Sequence, residues 1–369
     1  MKFIKKMRNL NVAFIQPEVP HYRVSFFREL GKRVKNITVY VYNSLDNSKK
    51  QGFCVEQEDY VKYIANKQYK GVLFYNPKPL LRKDIDVLVL MWHFAHVTTW
   101  LLLLTKWIHR KKIIIWGQGI SVKRYLEEEK RPNLLMKWML ALSDGAWIYM
   151  PKERDVWRNK FPKKKVVALS NTIGNVSEIL NYKSPLSKEL LKKKYGISQP
   201  IIYIYCARFN TELRRIDILE DVIKSLDSKK FGFIIIGEGA CKPKFNIYRN
   251  VYDFGSVYDD NLKRELFSIA DAYFQPAWLG LSVVESMAYA KPVFTFVRSK
   301  GIKHGVESSY IINDCTGLIF NSMMECIERM NNISLAEIER VGKNAKKKIE
   351  KEATINNMVD NSVDLLKKV

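Results

Sequence analysis

Several motifs that announce common chemistries are missing from this chain. There is no GxxxxGK[ST] phosphate loop, no GxSxG nucleophile turn and no Asp-x-Asp pair placed to hold a metal-bound diphosphate. Those absences argue against P-loop, α/β-hydrolase and metal-diphosphate chemistry. Cysteine is sparse: Cys54, Cys206, Cys241, Cys315 and Cys326 are odd in number, scattered and without a CxxC pair. This argues against a disulfide framework or zinc ribbon, and a reducing cytoplasm fits best. No internal repeat and no low-complexity block is present. No leader is expected either, because MKFIKKMRNLN turns polar before an apolar core forms.

Acidic residues are scarce in the first half. Residues 1–182 hold 33 Lys and Arg against 15 Asp and Glu, whereas residues 183–369 hold 29 against 23. Most of the net charge of +24 thus lies in the first half, which suggests an anionic partner. Val87 to Thr105 carries no charged residue, but His93, His96, Thr98 and Thr99 in its middle suit a spanning helix badly. A buried strand followed by a helix fits better. Trp100, Leu101, Leu104 and Trp107, with Arg110, Lys111 and Lys112 beside them, predict peripheral contact with an anionic membrane surface.

At 369 residues and 47% apolar content, the chain is globular and long enough for two domains. Apolar strand-like runs alternate with helical patterns along its length, which predicts parallel doubly wound sheets. The expected layout is a basic domain over 1–182, a linker over 183–200, a second domain over 201–350 and a helical tail over 351–369. Two Rossmann-like domains facing across a cleft make that cleft the expected ligand site.

The most informative stretch is DAYFQPAWLGLSVVESMAYAKPVFTF, Asp271 to Phe296. It reads as strand, glycine turn, helix and strand, with the helix over Leu281–Ala290. Ligands of open α/β sheets bind at such strand ends. A helix start beside Gly280 offers free N–H groups to a phosphate, and Glu285 one turn on suits sugar hydroxyls.

Four segments in order, CARF…RRIDIL, FIIIGEG, DFGSVYDDNLKRELFSIADAYFQP and GLSVVESMAYAKPV, resemble the donor domain of the family-four retaining glycosyltransferases (glycosyl transferases group 1). KHGVE and CTGLIF are similar to later pieces of that family. IQPEVPHYRVSFFREL and IIIWGQG resemble, more weakly, acceptor domains of enzymes that build bacterial surface polysaccharides. The resemblance implies the GT-B fold and metal-independent transfer from a nucleotide-diphosphate sugar to a glycan or lipid-linked acceptor, with no cofactor, no metal and no nucleic acid. The enzyme would work in the cytoplasm, at the inner face of the membrane. It implies that Arg208, Arg214, Gly280 and Leu281 hold the donor diphosphate. Arg215 is the alternative to Arg214, because the spacing is one residue longer than usual. Glu285 and Val257 would meet the ribose and base. His93 and Gln118 are the candidates beside the reacting carbon, and His21 and Arg23 lie on the acceptor side.

Departures are informative. Ala277 stands where the family's Glu-x7-Glu motif has its first glutamate, and Gln118 where many relatives have histidine. Ala290 and Val306 replace a glycine and a proline. Two other readings remain at this level: a GT-B-like sugar-nucleotide epimerase, and a non-enzymatic basic protein that binds nucleic acid or membrane.

Overall fold

The computed structural model describes residues 8–44 and 58–369; Cys54 and the opening MKFIKKM lie outside them. The chain forms two compact units, 1–175 with 354–369, and 176–353. The segment 183–200 therefore lies inside the second unit, with a helix at Lys188–Lys194. The last helix, Ile355–Leu366, belongs to the first.

In the first unit, apolar runs such as Ile113–Trp116 are fully buried, as strands covered on both faces must be. Seven strands form a parallel sheet in the order β3-β2-β1-β6-β7-β8-β9. They are β1 (Asn11–Gln16), β2 (Asn36–Val41), β3 (Val61–Tyr63), β6 (Val87–Met91), β7 (Lys112–Gly117), β8 (Gly145–Ile148) and β9 (Lys165–Ala168). A separate antiparallel hairpin pairs β4 (Asn66–Tyr69) with β5 (Val72–Tyr75). Its turn residues Lys70 and Gly71 both have positive φ, as a two-residue hairpin turn that follows the strand twist requires. Strand order reverses between β1 and β6, so the loops after these two strands open the ligand-binding edge.

The second unit has a six-stranded parallel sheet, ordered β12-β11-β10-β13-β14-β15. Its strands are β10 (Ile201–Cys206), β11 (Phe231–Ile236), β12 (Val251–Asp253), β13 (Ala272–Phe274), β14 (Val293–Phe296) and β15 (Gly317–Phe320). β10 pairs with β13 through Tyr203–Ala272 and Ile204–Tyr273. Order reverses at this pair.

Helix limits differ from the sequence pattern where caps intervene. The helix expected after the strand in the Val87–Thr105 stretch divides into Val97–Leu104 and Lys106–His109, and Arg110 ends it in the left-handed region. Pro132 separates Tyr125–Glu128 from Leu134–Leu142, and the Asn133 side chain caps the second. The helical tail expected over 351–369 is the helix Ile355–Leu366, separated from the preceding Leu335–Glu352 where the Thr354 side chain accepts from the Asn357 N–H and starts a new helix. The helix after Gly280 is shorter than expected, Ser282–Ala288. Among the described residues no helix is long and apolar enough to cross a membrane.

Candidate active site

The loop from Gln275 to Leu281 leaves β13 at the reversal point of the second sheet. Its shape is held from inside by Gln275, which is fully buried. The Gln275 amide donates to the carbonyls of Ala277 (2.8 Å) and Trp278 (3.0 Å), and its oxygen accepts from the Tyr273 hydroxyl at 2.5 Å. Trp278 lies at φ +57°, a conformation costly for a bulky residue. It is maintained by its N–H donating to the Lys303 carbonyl at 2.5 Å. Ala277 is fully buried.

A second loop braces the first. Gly305 donates its N–H to the Leu279 carbonyl at 2.7 Å. A Cβ on Gly305 would lie 2.6 Å from that oxygen and 2.8 Å from Glu307 Oε2. His304 is buried, with Nε2 hydrogen-bonded to the Phe296 carbonyl at 2.9 Å. Burial drives its pKa down to about 4, against that hydrogen bond and helped by nearby Arg298. Gly280, in contrast, faces open space: a Cβ there would meet nothing within 4 Å.

Around this opening stand the charged groups. Glu285, one turn into the helix, forms an ion pair with Lys263 at 2.5 Å, and both side chains are mostly covered. Burial pulls the Lys263 ammonium down, but Cys206, Glu285 and the hydrogen bond to Glu285 together hold it above its usual value. Burial pushes the Cys206 thiol up to about 11, so it stays protonated at neutral pH. Arg214 lies beside Tyr205, whose phenol is raised by burial against the pull of the guanidinium. Arg214 Nε is buried without a hydrogen-bond partner. Buried donors are nearly always satisfied, so this free donor is compatible with an incoming acceptor.

Arg208 is exposed in the loop after β10. Arg215, the alternative to Arg214, stands at the start of the helix Ile216–Ser225. It forms a fork to Asp217 (2.6 Å from Nη2, 2.9 Å from Nε), with its own backbone at φ +52°. Val257 is half-buried two residues past Gly255, which has φ +63° and hydrogen-bonds to Asp253. Lys263 was the residue missed from sequence. Its only hint was a lysine on the inward side of the amphipathic helix Asp260–Ile269.

In the first unit, a pocket of about 450 Å³ brings His93 and Gln118 together, with Arg124, Asn133, Met136 and Tyr149 among its lining residues. Gln118 is set in a turn that needs glycine on its far side. Gly119 has φ +76°, and a Cβ there would lie 2.8 Å from Trp157 Nε1. His93 is exposed, stacks on Phe94, and its pKa is lowered by burial of part of its ring. His96 is buried, and burial followed by the charge of His93 takes its pKa to about 4. Among the described residues no group of three or more His, Cys, Asp or Glu is placed to hold a metal ion.

His21 is exposed at the start of the helix His21–Gly31, whereas Arg23, the other residue expected on the acceptor side, lies within the fold. It is buried, donates to Asn171 Oδ1 and lies over the rings of Tyr22, Trp116 and Tyr149. Cation–π contacts of this kind add to the hydrogen bond in fixing the guanidinium.

Two doubly wound parallel units of this kind define the GT-B fold. A Rickettsia africae ESF-5 glycosyltransferase shares it at 14% identity and TM-score 0.67, over 97% of this chain and 98% of that one. Anabaena HepE in complex with UDP and glucose matches at 11% identity and TM-score 0.64, over 98% and 100%. WaaG, a glycosyltransferase involved in lipopolysaccharide biosynthesis, matches at 14% and 0.59, over 96% and 99%. No curated protein matches the sequence. Residues 187–348 match the family model described as glycosyl transferases group 1.

Proposed function

We propose that the protein is a retaining glycosyltransferase that moves a sugar from a nucleotide-diphosphate donor to a hydroxyl of a glycan, lipid-linked in surface-polysaccharide assembly. One observation carries the reading: the orphaned Arg214 Nε, the open face of Gly280 and the Glu285 carboxylate all gather at the reversal point of the second sheet. Arg208 and Arg214, with the backbone N–H groups at Gly280 and Leu281, would neutralise the departing diphosphate. Fixed donors of this kind stabilise charge as it develops without reorganising. Glu285 would accept the ribose hydroxyls, and Val257 would lie by the base. HepE's complex with UDP makes uridine diphosphate the first nucleotide to try.

The acceptor hydroxyl would attack from the face that the leaving group departs, so no protein nucleophile is assigned. His93 and Gln118 would position the acceptor side of the reaction. Because the first motif glutamate is Ala277, the sugar hydroxyls must be read by other groups. The arginines supply the positive charge, so a divalent cation is not needed.

The test is turnover of a panel of nucleotide sugars by the purified protein, with and without EDTA. Donor hydrolysis or transfer that survives EDTA and falls at least about tenfold in Arg208→Ala or Arg214→Ala supports the reading. Unchanged turnover and nucleotide affinity in both variants overturn the phosphate assignment. Solvent hydrogen entering the sugar without any acceptor would instead indicate an epimerase.

A further inference from the structure

The hairpin of β4 and β5 has one face tied to the fold and one face turned to solvent. Opposed residues of an antiparallel pair share a face, and faces alternate along each strand. The register pairs Lys67 with Phe74, Tyr69 with Val72, Gln68 with Leu73 and Asn66 with Tyr75. Leu73 and Tyr75 are buried on the inner side. The Tyr75 N–H donates to Thr98 Oγ1 at 3.0 Å, and the Tyr75 hydroxyl shares a hydrogen bond with Thr99 Oγ1 at 2.8 Å. Thr98 Oγ1 in turn donates to the Tyr75 carbonyl at 2.8 Å. On the outer side Tyr69 is 68% and Phe74 44% exposed, and Lys67 is exposed beside them. Tyr69 and Phe74 stand diagonally across the two strands, with backbones about 7 Å apart.

Charge and position narrow the partner. Residues 60–83 contain six Lys and Arg and no Asp or Glu. Lys70, at the turn, holds its Nζ 5.4 Å from the Tyr69 ring centroid. Four outer side chains offer far less than the roughly 800 Å² a side of a stable protein interface, and lysine is depleted in such interfaces. Flat rings flanked by ammonium groups suit instead a chain whose units have an apolar face and carry anions. The hairpin also adjoins the pocket of about 450 Å³ in the first unit. The Leu73 N–H donates to the Ala95 carbonyl at 2.9 Å, and the two residues before Ala95, His93 and Phe94, line that pocket. Phe94 is itself exposed, which places a third ring on the way from the pocket to the hairpin.

We propose that the outer face of this hairpin holds an extended glycan bearing carboxylate or phosphate groups, whose terminal sugar enters the pocket at His93 and Phe94. Tyr69 and Phe74 lie under the C–H faces of sugars behind the terminal one, and Lys67 and Lys70 meet the anionic groups. A chain long enough to reach both places binds through two linked contacts, so its affinity rises with its length. The acceptor role of the terminal sugar rests on the transferase reading; the binding of the chain to the hairpin does not.

The experiment is calorimetric titration of the full chain, at low and high salt and without any nucleotide sugar. The probes are digalacturonate, octagalacturonate, a phosphorylated mannan octasaccharide, neutral maltooctaose and an oligouridylate of matching length. At least one anionic octasaccharide should bind about tenfold or more tighter than digalacturonate and maltooctaose, and less tightly at high salt. The tighter of the two names carboxylate or phosphate as the charge that is read. Tyr69→Ser/Phe74→Ser should remove the gain with length, and Lys67→Glu/Lys70→Glu should remove the preference over maltooctaose. Both double variants should keep the wild-type melting temperature, since their side chains lie on the solvent face. Length dependence that persists when uridine diphosphate shifts no melting temperature would leave the hairpin site standing and sink the transferase reading. A wild type that binds neither anionic octasaccharide overturns the proposal, as do double variants that bind them like the wild type. Oligouridylate binding more tightly than both overturns it too, in favour of nucleic acid.

Discussion

Lys263 Nζ lies 2.5 Å from Glu285 Oε1, so the carboxylate proposed for the ribose is already paired before any ligand arrives. In the proposed complex the ribose hydroxyls would donate to its other oxygen. Glu285→Ala should weaken uridine diphosphate about tenfold, the value of one or two hydrogen bonds to a charged group. A 2′,3′-dideoxy analogue should bind wild type and variant alike. Calorimetric titration of both ligands checks this, and equal loss for both would remove Glu285 from the ribose site. Lys263→Met strands a mostly covered carboxylate and should cost about 2 kcal/mol of stability. Adding Glu285→Ala should recover part of it, because contacting residues are not additive.

The two adjacent arginines should separate cleanly. Arg214 has an orphaned donor beside Tyr205, while Arg215 is forked to Asp217. Arg214→Ala should lower diphosphate affinity and turnover about tenfold or more and leave free nucleoside affinity unchanged. Arg215→Ala should leave both within about threefold, as an exposed pair contributes little. The reverse ranking, read by titration with uridine and uridine diphosphate, would assign the phosphate to Arg215.

Gly280 and Gly305 are a matched pair of controls. Nothing lies within 4 Å of a Cβ on Gly280, whereas one on Gly305 would collide with the Leu279 carbonyl and Glu307. Gly280→Val should therefore fold with a melting temperature close to wild type and lose nucleotide binding, because its side chain fills the space proposed for phosphate. Gly305→Ala should lose about 2 kcal/mol of stability or more through strain. If Gly280→Val binds the nucleotide normally, the phosphate lies elsewhere.

The fold was legible because its strands are apolar runs of β-rich residues separated by helical periodicity, and both sheets need such runs buried on two faces. The turn and helix after β13 were legible because Gly280, Glu285 and Pro292 punctuate them at fixed spacing. What could not be read depended on contacts distant in sequence. Lys263 meets Glu285 across two elements, and nothing local to Arg23 shows that Asn171 and three aromatic rings enclose it. The outward face of Leu134–Leu142 was equally hidden, since an apolar helix looks the same in sequence whether its second face meets protein or not.

His304 gives the second unit a pH dependence whose sign is fixed by burial. Its pKa falls from the usual 6.5 to about 4 because the covered ring resists charge. Between those values the unfolded chain binds the proton and the folded one does not, so unfolding becomes easier as pH falls. The contribution is full above pH 6.5, declines through the window and is gone below about pH 4, about 3 kcal/mol in all. A proton forced onto Nδ1 would also face the Leu279 N–H, 3.5 Å away in the loop that carries Gly280. Nucleotide affinity should therefore weaken over the same window. His304→Phe should show a smaller fall in melting temperature from pH 7 to pH 4.5 than wild type, whatever its stability at pH 7. His96, lowered to about 4 by burial in the first unit, contributes a background of the same sign. An unchanged slope in His304→Phe would show that the ring does not titrate in this range.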